Sequence, residues 1–137
     1  MEYKFRAWDS KNKKMIYPAI IGIEEDFCWE NERKMLHNCM DWDGEEGFIN
    51  KPILMLCSPL KDIDGDELYQ DDIILDYSGH IGLICYGIVN YYISNMGGYD
   101  IMCWYIDYGD GFEEPLENNK VKKIGDKFNN PELVEGI

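Results

Sequence analysis

The stretch "KDIDGDELYQDD" (61–72) sets six carboxylates, Asp62, Asp64, Asp66, Glu67, Asp71 and Asp72, around Gly65. That composition could hold a calcium ion, which needs oxygen ligands at loop positions 1, 3, 5, 7, 9 and 12 with glycine at position 6. With Gly65 at position 6, Leu60 falls at position 1 and cannot ligate, and Glu67 falls at position 8, where an apolar residue normally packs. Starting at Asp62 moves Gly65 to position 4 and loses the turn. The flanks "ILMLC" and "DIILDY" read as strands, whereas a calcium loop of this kind is held between helices. The stretch therefore reads as a hairpin turn at Asp64-Gly65, and no metal is expected.

Other chemistry-bearing residues also fail on spacing. Cys28, His37 and Cys39 lack the short paired spacing of structural zinc ligands. His80 and Cys85 lie about 17 Å apart on an extended strand, so their closeness in sequence is no evidence for a base and nucleophile. Asp71 with Asp72, and Glu113 with Glu114, are pairs that could do acid–base work only if one member were desolvated. Neighbours on a strand point to opposite faces, and both pairs read as solvated turns or strand ends. Neither "GHIG" nor "GDG" has the glycine spacing that wraps backbone N–H groups around a phosphate. The reading is of a chain without catalytic residues or cofactor, not an enzyme. Cys57, Cys85 and Cys103 read as inert core positions.

The elements that must position these groups are mostly strands. "YKFRAWDSKNKKMIY" alternates apolar and polar residues around "DSKN", which predicts a hairpin with Phe5 and Ala7 inward, Met15 and Tyr17 returning, and Trp8 covering an edge. From Glu24 to Gly47 nine acidic residues are interleaved with apolar ones, which reads as a loop with a helical turn near 30–36. After Pro52, "ILMLC" and a segment from Asp72 read as strands. "GLICYGIVNYYI" and "YDIMCWYI" follow as a pair around "SNMGG". A last strand is expected over 121–124, with a final turn opened by Asn130-Pro131.

Composition bounds the partners. The 137-residue chain carries 27 acidic and 13 basic residues, a formal charge of -14, which repels phosphate backbones and disfavours direct nucleic-acid binding. An odd number of cysteines, five, and an N-terminus without an apolar signal core predict a reduced, cytoplasmic setting. No window is apolar enough to span a membrane. Seven aromatics, Tyr86, Tyr91, Tyr92, Tyr99, Trp104, Tyr105 and Tyr108, crowd one sheet beyond what a small barrel interior holds, so some must face outward. Outward tyrosine and tryptophan anchor protein interfaces. The expected interaction surface is Tyr91, Tyr92, Trp104, Tyr105 and Tyr108 with the acidic loop residues Asp110, Glu113 and Glu114, and a second copy of the chain is one candidate partner.

Three segments in order, "YKFRAWDSKNKKMIY", "LKDIDGDELYQDDIILDY" and "VKKIGDKFNNPELVEG", resemble the YopX family of phage and prophage proteins from end to end. Phe5-Arg6-Ala7-Trp8-Asp9, Leu60-Lys61-Asp62 and Asn130-Pro131-Glu132-Leu133 carry the resemblance. The chain departs from the family pattern at Cys57-Ser58-Pro59, in place of Tyr-Thr-Gly, and at Asp71, in place of glycine, which leaves the turn geometry there open. The resemblance implies an all-β or β-dominated fold with a small SH3-like barrel, an origin in a mobile element and no established catalytic residue. The expected organisation is one unit over 1–137, with a hairpin and irregular acidic segment over 1–56 and a barrel lobe over 57–137. Two rival functions stand beside protein binding. An acidic mimic of DNA would line carboxylates along one face, and an enzyme would converge polar groups, such as His80 and nearby carboxylates, in a pocket.

Overall fold

The computed structural model describes residues 4–17, 20–21, 35–37, 48–50 and 53–137, and the chain divides into two compact units, Met1–Cys57 and Ser58–Ile137. In the first unit β1 (Phe5–Asp9) and β2 (Lys14–Ile16) form the expected antiparallel hairpin. Three short strands, β3 (Ile20–Ile21), β4 (Met35–His37) and β5 (Phe48–Asn50), pair in parallel. The helical turn expected over 30–36 lies outside the described residues except at Met35 and Leu36, which open β4. The strand β6 (Ile53–Lys61) runs well past "ILMLC", and its first half pairs antiparallel with β1, Phe5 opposite Leu56 and Trp8 opposite Ile53.

The hairpin corrects the expected inward set on its return strand. Asp9 faces Lys14 across a loop in which Lys13 takes a positive φ of 54°, and this register brings Ile16 opposite Ala7. Ile16 and Ala7 therefore form the small core with Phe5 and Leu54, and Tyr17 lies half exposed. Tyr17 has another use: its hydroxyl accepts a hydrogen bond from Arg6 Nη1 at 2.9 Å, and the Arg6 guanidinium sits over its ring at 5.8 Å. Arg6 is fully buried, with Nε also 3.3 Å from Met55 Sδ. Stacking on a ring suits a guanidinium, which is weakly hydrated for a cation.

The second unit is built on a five-stranded antiparallel sheet in the order β11-β10-β9-β8-β12, curled as a half-barrel. Its strands are β8 (Asp72–Leu75), β9 (Ile81–Ile93), β10 (Gly97–Gly109), β11 (Phe112–Pro115) and β12 (Lys122–Asp126). A short β7 (Glu67–Tyr69) lies beside β6. Leu68, Ile74, Ile84, Ile106, Leu116 and Val121 make the core, with Leu60, Trp104 and Tyr108 packed on it. Pro131–Val134 form a single 3-10 turn. The fold is thus β-dominated, and among the described residues no helix is long and apolar enough to cross a membrane.

Aspartates stitch the turns that follow β1, β6, β8 and β12. Asp9 accepts the amides of Lys11 and Asn12, Asp62 those of Asp64 and Asp66, Asp76 those of Ser78 and His80, and Asp126 those of Phe128 and Asn129. Each carboxylate replaces a missing ladder partner for two backbone donors, which is why aspartate is favoured in tight turns. Asp71, standing where the family pattern has glycine, adopts the left-handed conformation with φ of 68°. Asp and Asn tolerate that region better than other side chains. Its neighbour is a correction: Asp72, expected in solvent, is fully buried. It accepts the Tyr69 amide at 2.7 Å and lies 3.3 Å from Lys123 Nζ, since β8 runs through the core beside β12.

Candidate functional site

The acidic turn that resembled a calcium loop brings carboxylate oxygens of Asp62, Asp64 and Asp66 within 4.8 Å of one another. Gly65 has φ of 84°, as the tight turn requires. Asp62 is already committed, with Oδ1 accepting two amides at 2.9 Å and Oδ2 accepting the Lys123 amide at 3.1 Å. Burial pushes its carboxyl up, but the backbone bonds from Lys123, Asp66 and Asp64 together outweigh burial and hold it below 3.8. Asp64 is bonded to Lys122 Nζ. The cluster serves to join β6, β7 and β12.

His80 does acquire a neighbouring carboxylate. Its Nδ1 lies 3.3 Å from Asp76 Oδ2, and its ring meets Tyr108 edge-on at 6.4 Å. Burial first, then the charges of Asp76 and Glu114 and a hydrogen bond to Asp76, push the Tyr108 hydroxyl up to about 12. Asp76 is itself held low, the amides of His80 and Ser78 outweighing its burial. The His80 side chain is mostly exposed, and the group as a whole shapes the 76–80 turn.

Cys85 and Tyr105 stand opposite each other on β9 and β10. The Cys85 S–H points to the Leu83 carbonyl at 3.6 Å. Burial, then the charge of Asp107, pushes the thiol up to about 11; burial, then Cys85 and Glu113, pushes the phenol up to about 12. Both are neutral, and poor nucleophiles, near pH 7. Cys103 is likewise raised, by burial and then Glu113.

The remaining feature is the long hairpin itself. β9 and β10 pair over eleven residue pairs, from Leu83 opposite Asp107 to Ile93 opposite Gly97. β8 accompanies β9 only over Ile81–Leu83, and β11 accompanies β10 only over Tyr105–Gly109. Among the described residues, the outer edges of 85–93 and 97–103 pair with no strand, so the hairpin continues as a two-stranded arm of about 30 Å. Register assigns its faces, because residues directly opposite one another share a face. One face continues outward from the core pair Ile84–Ile106 through Tyr86–Trp104, Ile88–Met102, Asn90–Asp100 and Tyr92–Gly98. Tyr86 and Trp104 pack at 4.9 Å between ring centroids. Beyond them Ile88 is 63% exposed, Met102 57% and Tyr92 73%, with Met96 at the tip 75% exposed. Asn90 Nδ2 donates to Asp100 Oδ1 at 3.1 Å.

The expected surface residues are therefore dispersed. Trp104 and Tyr92 share the apolar face, and Tyr108 lies further along it against the core. Tyr105 and Glu113 belong to the opposite face, while Asp110 and Glu114 are exposed around the β10–β11 turn. The side chain of Tyr91 is outside the described residues. Sequence reasoning missed Ile88, Met96 and Met102, having weighted aromatics over aliphatics. Their signal was present: pairing about "SNMGG" places Ile88 across from Met102.

A β-dominated chain built from antiparallel hairpins, with aspartate-stitched turns and one long partly apolar arm, defines the class of protein. The chain belongs to the YopX family, whose model, described as YopX protein, matches residues 4–135. Comparison with curated proteins gives no match.

Proposed function

We propose that this YopX protein is a phage or prophage accessory protein that acts in the host cytoplasm by binding protein, without catalysing a reaction, and that the β9–β10 arm is its binding surface. The observation that carries the reading is the exposed apolar stripe of Tyr86, Ile88, Tyr92 and Met102. Tyr86, Ile88 and Met102 adjoin on one face, with Tyr92 beyond the polar Asn90–Asp100 pair, and exposed apolar surface of this kind marks interaction sites in soluble proteins. The acidic composition supports it less directly: Asp9, Asp62, Asp72 and Asp126 are buried and bonded, so part of the negative charge serves the fold and is not displayed to a DNA-binding protein.

The test is affinity purification from infected or lysogenic cells, with the wild-type chain and the variant Ile88→Lys/Met102→Lys compared side by side. A protein partner, which includes a differently tagged copy of this chain, is expected in near-stoichiometric amount with wild type and absent with the variant. Recovery of the same proteins with both would remove the arm from the account.

A further inference from the structure

We infer that the occupant of the arm is a second copy of this chain, with the two apolar faces packed against each other in antiparallel orientation about a two-fold axis. This rests on the reading of the arm as a protein-binding surface and adds the identity and geometry of the partner. Three observations carry it: the charge of the arm, the pattern along the stripe and the area it exposes.

Residues 84–104 contain a single charged side chain, Asp100, in a chain of formal charge -14. Two copies would repel through almost any other part of the second unit and least through this arm. A basic partner, by contrast, would find only Asp100 on the stripe to complement its charge.

The stripe has aromatic residues at both ends, Tyr86–Trp104 at the base and Tyr92 towards the tip, with Ile88–Met102 and Asn90–Asp100 between them. Reversing one copy against another sets Tyr92 of each over the Tyr86–Trp104 pair of the other. An isologous contact demands that each patch meet itself turned around; the aromatic ends match in this way, while Ile88–Met102 of each copy meets Asn90–Asp100 of the other. Aromatic contacts across the axis add to the area buried.

At about 200 Å² for a fully exposed large side chain, Tyr86, Ile88, Tyr92, Met96 and Met102 leave on the order of 600 Å² per copy, approaching the roughly 800 Å² per partner of a stable interface. Val89, on the opposite face of the arm, is already buried, so packing two stripes face to face covers the ribbon's second face.

The arrangement brings two Asp100 carboxylates towards the axis, which opposes pairing, so charge removal there must tighten it. Sedimentation velocity of the full chain over a concentration series is the experiment, on wild type, Ile88→Lys/Met102→Lys and Asp100→Asn. The expected results are a reversible dimer for wild type, at least a hundredfold weaker association for the lysine variant, and about tenfold tighter association for Asp100→Asn. Near-ultraviolet circular dichroism of the core aromatics confirms that each variant is folded. A wild-type monomer at every concentration overturns the second-copy inference while leaving the arm free to bind another protein. A dimer that the lysine variant leaves intact overturns both readings of the arm. A dimer lost in the lysine variant but unchanged by Asp100→Asn overturns the antiparallel geometry.

Discussion

Removing the Asp62 carboxylate should destabilise the second unit more than its place in a surface turn suggests. The side chain is fully buried and accepts three backbone amides, from Asp64 and Asp66 within the turn and from Lys123 across on β12. Hydrogen bonds to a charged group contribute roughly 1.5–3 kcal/mol each, but the two turn amides can recover water when the turn loosens. Asp62→Ala should therefore cost about 3 kcal/mol, a large share of the roughly 5–15 kcal/mol that holds a domain folded. Asp62→Asn should cost about 2 kcal/mol, because an amide keeps one acceptor and turns a donor towards the Lys123 N–H. Urea unfolding followed by tryptophan fluorescence at pH 7 reads both. The pH dependence gives a second handle. The native carboxyl lies below its ordinary value of 3.8, so its stabilisation is complete above that value and is lost as pH falls through the lower native pKa. The gap between wild type and Asp62→Asn should accordingly narrow as pH drops below 3.8. If Asp62→Ala unfolds within about 0.5 kcal/mol of wild type, the range of an ordinary surface substitution, the stitching role assigned to these aspartates is wrong.

Two further outcomes follow from packing and burial. A Cβ at Gly82 would meet Ile106 Cγ2 at 2.4 Å, whereas one at Gly87 would meet the Tyr105 ring at an ordinary 3.6 Å. Gly82→Ala should cost about 1–3 kcal/mol and Gly87→Ala much less, and equal unfolding midpoints would refute the close approach of β9 to the Ile106 side chain. The Cys85 thiol, at about 11, should be alkylated appreciably only as pH rises towards that value, measured by mass spectrometry after brief iodoacetamide pulses. Fast labelling of Cys85 at pH 8 would contradict its burial beside Tyr105.

Turns and long strands were legible in the sequence because they depend on local chemistry. Asp64-Gly65 and the glycines after Met96 announce reversals through backbone freedom, and the β-branched and aromatic runs on either side of "SNMGG" have no other stable use. Register and burial were less legible, since they depend on partners remote in the chain. Met15 and Tyr17 alternate with Phe5 and Ala7 on paper, yet Lys13 in a left-handed conformation closes the turn so that Ile16 meets Ala7. Asp71 and Asp72 are the same residue type side by side, and only β12, some fifty positions later, brings Lys123 to Asp72 and makes its burial tolerable. The parallel pairing of β3, β4 and β5 joins segments too short to announce themselves. The candidate surface was half visible: its sheet could be read from the aromatic crowding, but its face required the register that sets Ile88 against Met102.

Hydrogen–deuterium exchange of the arm at low and high protein concentration tests the central claim most directly, because a two-stranded ribbon left alone frays and one packed against a second layer does not. Amides of residues 90–100 should exchange quickly in dilute protein and become protected as concentration rises, while the core amides of Ile74, Ile84 and Ile106 stay protected throughout. Arm exchange that is fast and independent of concentration, with no added partner able to slow it, would contradict the account.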